Sequence, residues 1–158
     1  MKKLIGTTLA ASLLLAGSVA HAQVKPEDVI KFRKSVMTIQ AWHMRPMAAM
    51  VKEQRPYDQD AFAFNAQVIS LTARMKAEAF ATGTEKIADA ETRAKPEIWS
   101  EPEKFKQALD RFQADVIKLT EAAKTGTLDA VRPAFGAVAY TRCNSTAVTW
   151  MPTSASNT

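Results

Sequence analysis

SEPEKFKQALDRFQADVIKLTEAAKTG, residues 100–126, decides the fold. Within it Phe105, Leu109, Phe112, Val116 and Leu119 fall at spacings of four, three, four and three, the repeat of one buried face on an α-helix. Ser100 stands where an N-cap accepts a hydrogen bond from the free first-turn amides, with Pro102 and Glu103 just behind it. The stripe stops around Lys124-Thr125-Gly126, where glycine suits a left-handed terminating turn. One amphipathic helix is marginal in water, so its apolar face requires partners elsewhere in the chain.

Three further stretches supply them. Upstream, after Arg55-Pro56-Tyr57 and a cap at Asp58 or Asp60, Phe64, Val68, Leu71 and Met75 repeat at four, three, four. This helix is expected to end near Thr82-Gly83. Earlier still, Ile30, Met37, Met44 and Val51 recur every seven residues, with Arg33, Gln40 and Met47 on a neighbouring line. Together they mark one face of a helix over about 26–52, started by Pro26 with Glu27 and Asp28 and expected to kink at Pro46. Downstream, Thr127 caps a fourth helix whose inner face is Leu128, Val131, Phe135 and Val138. Pro133 lies beyond its first turn and costs roughly 3 kcal/mol unless the helix bends. Residues 83–100 lack a period and read as a surface connection. After Tyr140 the period is lost, and the Ser-, Thr- and Asn-rich stretch 141–158 reads as an aberrant, disordered tail. There is no strand signal and no repeat. The fold class is therefore all-α, an antiparallel up-down-up-down four-helix bundle over residues 23–140.

The beginning of the chain sets the compartment. Lys2 and Lys3, an apolar run from Leu4 to Ala20 and the small-x-small site Ala20-His21-Ala22 read as a signal peptide over 1–22, with the mature chain starting at Gln23. Cleavage leaves 136 residues, one domain, and lowers the net charge from +5 to about +3. The run is too short to span a membrane. No Lys- and Arg-rich segment is interleaved with aromatics, which argues against nucleic acid as partner. The single cysteine, Cys143, excludes an internal disulfide. Paired carboxylates, a nucleophile–base pair and a glycine-rich phosphate loop are missing, so an enzyme is not expected.

Several segments carry a resemblance: KPEDVIKFRKSVMTIQAWHMRPMAAMVK, GTE, TRAKPEIWSEPEKF and LDAVRPAFGAV. In this order and spacing the chain resembles the cytochrome c' (cytochrome c prime) family, the class II c-type cytochromes, over nearly all of residues 24–139. The resemblance implies a periplasmic four-helix bundle, usually a homodimer joined through its first two helices. It implies covalently held haem c serving electron transfer or the binding of a small gas such as nitric oxide. It further implies that Arg33 pairs with a haem propionate, that Met37 crowds the open face of the iron, and that Phe80 packs near the haem.

At the attachment site the chain departs from the family. The family pattern is Cys-x-x-Cys-His on the fourth helix: two thiols one turn apart add to the haem vinyl groups and the imidazole reaches the iron. With Cys143 as the first cysteine, Thr146 and Ala147 stand where Cys and His belong; aligned ungapped from Gly136, the three positions hold Arg142, Ser145 and Thr146. His43, the one histidine left after residue 22, reads as a surface or rim residue. Cys143 is thus the remaining attachment candidate, through a single thioether, and no metal ligand is assigned. The seven methionines also fit copper thioether ligands, but their spacing favours core packing.

Two alternatives follow from this departure. One is a haem-free helical bundle acting as a binding or structural module. The other is a frame-disrupted product: read one step out of register, the codons of Trp150-Met151-Pro152 permit Asp-Ala, and the Ser145–Thr146 junction permits His. Small residues at Gly136, Ala137 and Ala139 are expected to flank a porphyrin-sized vacancy.

Overall fold

The computed structural model describes residues 24–85, 92 and 94–144, the side chains of Thr125, Cys143 and Asn144 excepted. The expected signal peptide, residues 145–158 of the expected tail and part of the 83–100 connection lie outside the described residues. Four long helices form the bundle: α1 (Pro26–Val51), α2 (Gln59–Arg74), α5 (Pro102–Thr125) and α6 (Leu128–Asn144). Two single-turn helices, α3 (Lys76–Ala79) and α4 (Glu97–Ser100), flank the connection between α2 and α5. No strand occurs among the described residues.

The local signals set most of these boundaries. Pro26 occupies the first turn of α1, with Glu27 and Asp28 beside the positive helix end. The Asp58 side chain accepts a hydrogen bond from the Ala61 N–H at 2.9 Å and starts α2. Gly126 ends α5 at φ +89°, a left-handed position that costs a residue with a Cβ about 1–2 kcal/mol. Thr127 Oγ1 then accepts from the Ala130 N–H at 3.2 Å, so a two-residue link turns the chain into α6. Ser100 does not cap α5. It is the last residue of α4, and Glu101 precedes α5 with no side-chain cap. Pro102, having no N–H, removes one of the donors a cap would serve. Pro46 and Pro133 both lie inside continuous helices. Helix α6 runs on to Asn144, into the stretch read as tail from 141.

The core is one large cluster. Met44, Met47 and Met50 from α1, Phe62, Ala66 and Ile69 from α2, Phe112, Val116 and Leu119 from α5, and Val131, Phe135 and Val138 from α6 meet in it. A buried side chain of this size contributes about 1.5–3 kcal/mol. The α5 and α6 stripes thus face inward as their spacing dictates. The α2 stripe does not: Phe64 and Leu71 are about 60 % exposed. A second stripe on α2, Phe62, Ala66, Ile69 and Ala73, is buried instead. Its alanines let α2 approach its neighbours closely, and the bulkier stripe is left outside. Arg132 closes the far end by donating to the Val51 carbonyl at 2.6 Å, one of the carbonyls left over at the end of α1.

Candidate functional site

At the other end a smaller cluster forms from Val36, Met37, Ala79, Phe80 and Ile98. The break at Met75 lets α3 leave the α2 axis, and the chain after it is pinned against α1. Three of the four sequence-derived site residues, Arg33, Met37 and Phe80, meet here. Arg33 and Met37 share the inner face of α1 one turn apart. Phe80 lies edge-on to Phe105, with ring centroids 5.3 Å apart, and tilted to Trp99 at 6.3 Å. Cys143 lies in the last turn of α6, and its side chain is outside the described residues.

Arg33 is buried. Among the described residues it forms no ion pair with a carboxylate. Nε donates to the Ala79 carbonyl at 2.7 Å. One terminal nitrogen donates to the Thr84 carbonyl at 3.3 Å and to Thr92 Oγ1 at 3.1 Å. The other donates to the Thr84 carbonyl at 3.3 Å and to Thr84 Oγ1. A guanidinium has five N–H donors, and all five are engaged. Its carbon lies 4.7 Å from the Phe80 ring and 5.2 Å from that of Trp99. Burial lowers its pKa, and Glu85 acts in the opposite direction. This side chain ties the loop after α3 to the first helix.

Ile98 and Trp99 belong to the site although periodicity does not reveal them, because α4 is a single turn. Trp99 Nε1 donates to the Phe80 and Ala81 carbonyls, both at 3.2 Å. Phe105, read as plain core, is half-buried and lines the site. A cleft of about 420 Å³ opens here, walled by Ala77, Phe80, Ile98, Trp99 and Phe105 with Glu85 and Lys106 at its rim.

Deeper in, Lys76 is 1 % exposed. Its Nζ lies 3.6 Å from the centroid of the Phe112 ring and has no hydrogen-bond acceptor among the described residues. Burial, reinforced by the like charge of Arg142, pushes its pKa down to about 7. Gln40, one turn past Met37 on α1, is 2 % exposed, and its Nε2 has no hydrogen-bond partner among the described residues. Gly136 is exposed, and a Cβ built there meets nothing within 4 Å. His43 bonds through Nδ1 to Asn65 Oδ1 at 2.8 Å and packs edge-on to Phe64 at 5.9 Å, on the α1–α2 contact.

A four-helix bundle with an aromatic-walled cleft at one end is a scaffold for holding a flat apolar group. Residues 28–145 match the family model described as Cytochrome C'. A cytochrome c' of Alcaligenes xylosoxydans xylosoxydans is 41 % identical over 114 residues, 72 % of this chain and 86 % of that protein. The crystal structure of cytochrome c' from Rubrivivax gelatinosus matches with a TM-score of 0.70 and 36 % identity, covering 75 % of this chain and 91 % of that one. A ferrous variant of cytochrome c prime from Alcaligenes xylosoxidans with bound NO matches with a TM-score of 0.69 and 39 % identity, covering 77 % and 92 %. This chain belongs to the cytochrome c' family.

Proposed function

We propose that the protein is a haem protein of the cytochrome c' type, serving electron transfer or the binding of a small gas such as nitric oxide, rather than an enzyme. The observation that carries this reading is the cluster of Met37, Phe80, Ile98 and Trp99 beside an open cleft, in a chain of this family. The fit to haem is good at the walls: apolar and aromatic side chains suit the macrocycle, and the unpartnered Gln40 Nε2 and Lys76 Nζ suit a group bearing polar or acidic substituents. Met37 and Phe80 are the packing residues, and Cys143 is the one thiol available for a thioether. Arg33 acts by holding the 79–84 loop that carries Phe80. Haem, when bound, supplies an iron centre that exchanges an electron or takes a diatomic gas.

A signal peptide over 1–22 sends the chain to the periplasm in this reading, where haem attachment takes place. No described helix is long and apolar enough to cross a membrane. The mature protein forms a homodimer through α1 and α2, supported by the apolar face those helices leave exposed: Phe32, Ile39 and Trp42 on one, Phe64, Leu71 and Met75 on the other. Sedimentation equilibrium tests this: wild type sediments as a dimer, and Leu71→Glu or Trp42→Glu as a monomer. A monomeric wild type overturns it.

The haem reading is tested by the visible spectrum of protein purified from a periplasm competent in haem maturation. A Soret band that resists acid–acetone shows the single thioether, and one that is extracted shows non-covalent haem. No band, together with a cooperative melt, refutes the haem reading in favour of a haem-free bundle.

A further inference from the structure

Two donors at this end of the bundle, Gln40 Nε2 and the Nζ of the buried Lys76, have no hydrogen-bond acceptor among the described residues. Leaving a buried charge without a partner is expensive, and a lysine so placed is found where something acidic is meant to join it. The charge acting on Lys76 is that of Arg142, of the same sign. The helix register brings Lys76 into the site. Arg33 bonds to Ala79 and His43 to Asn65, so α1 and the α2–α3 segment run antiparallel with Lys76 level with Val36 and Met37. Its chain neighbour Ala77 lines the cleft. Arg33 has no donor left to give, because all five are spent on Ala79, Thr84 and Thr92.

We propose that Lys76 is a counter-ion for a carboxylate of the group that occupies this site. The proposal rests on the haem reading and names which residue of this chain meets the acid side chains of the porphyrin. The flat apolar part packs on Met37, Phe80 and Ile98, and the acid reaches inward to an ammonium that Phe112 already faces. Gln40 Nε2 is the neutral donor of the same region.

The test uses the full mature chain, freed of haem, titrated with protoporphyrin IX and separately with its dimethyl ester. Both lack iron, so metal ligation plays no part, and binding is read from the porphyrin absorption band and tryptophan quenching. A charge-assisted hydrogen bond leads us to expect the free acid to bind wild type about ten- to a hundredfold more tightly than it binds Lys76→Met. The dimethyl ester is expected to bind both proteins alike. The ester comparison on wild type needs no variant, so it does not depend on how Lys76→Met folds. Equal affinity of wild type for acid and ester, or equal affinity of wild type and variant for the acid, overturns the assignment while leaving the haem reading intact. Binding of neither porphyrin to wild type overturns the haem reading and the assignment together.

Discussion

Replacing Lys76 by methionine is expected to stabilise the haem-free protein, by an amount that depends on pH. Burial lowers the lysine pKa from 10.5 to about 7. At about 1.36 kcal/mol per pH unit, this corresponds to about 5 kcal/mol of cost for keeping the amine inside at neutral pH. The Phe112 ring lies 3.6 Å from Nζ. Methionine has nearly the same length, carries no charge, and its sulfur packs well on the same ring. The sign follows from proton counting. Between pH 7 and 10.5 the unfolded chain holds a proton on Lys76 and the folded chain does not, so the Lys76 contribution rises with pH across that window and is flat below it. Urea unfolding followed by far-UV circular dichroism at pH 7, 8 and 9 is the assay. The variant should be more stable by about 4–5 kcal/mol at pH 7, and its advantage should shrink by about 2 kcal/mol by pH 9. Burial raises the Tyr57 pKa in both proteins alike, so its titration cancels in the difference. An advantage that does not shrink, or a variant less stable at every pH, refutes the picture of Lys76 as an unpartnered buried amine.

Arg33→Met removes a guanidinium that makes five hydrogen bonds and leaves the Ala79 and Thr84 carbonyls without their donor. A loss of about 3–5 kcal/mol is expected, with faster amide exchange in residues 79–84 than in α5; uniform exchange would refute the clamp. Gly126→Ala places a Cβ at φ +89° and within 2.6 Å of Gln59 Oε1. The Gln59 side chain can rotate away, so the backbone sets the cost at about 1 kcal/mol, read as a fall of several degrees in Tm. An unchanged Tm would show that the turn tolerates a side chain.

Helices α5 and α6 were legible because each carries one dominant apolar stripe, and one stripe has one place to go. Helix α2 carries two. Phe62, Ala66, Ile69 and Ala73 repeat at four, three, four, just as Phe64, Val68, Leu71 and Met75 do. Spacing cannot rank two equal periods, and residue size points the wrong way, because the smaller stripe is the one that packs. Lys76 continues the buried stripe three residues past Ala73, but a lysine reads as solvated, and its burial is decided by tertiary packing. Arg33 and Met37 were found by family resemblance, and their shared face by periodicity. The loop oxygens that the guanidinium meets were not legible, because they lie on a connection that has no period. Ser100 was misread because four residues of helix, too few for a periodic signal, precede the true start of α5.

The Arg33 clamp also bears on how the chain assembles. Its bonds reach 46, 51 and 59 residues ahead, to Ala79, Thr84 and Thr92. Nothing near it in sequence can take their place, so the guanidinium stays hydrated until α2 and α3 have docked. This is a long loop closure inside a topology otherwise dominated by neighbouring helices. The core formed by α5 and α6 can condense early, while the cleft end forms last on the folding pathway and opens first under denaturant. A ligand that enters before Arg33 locks would meet an open doorway, and one that arrives afterwards would have to wait for the latch to lift.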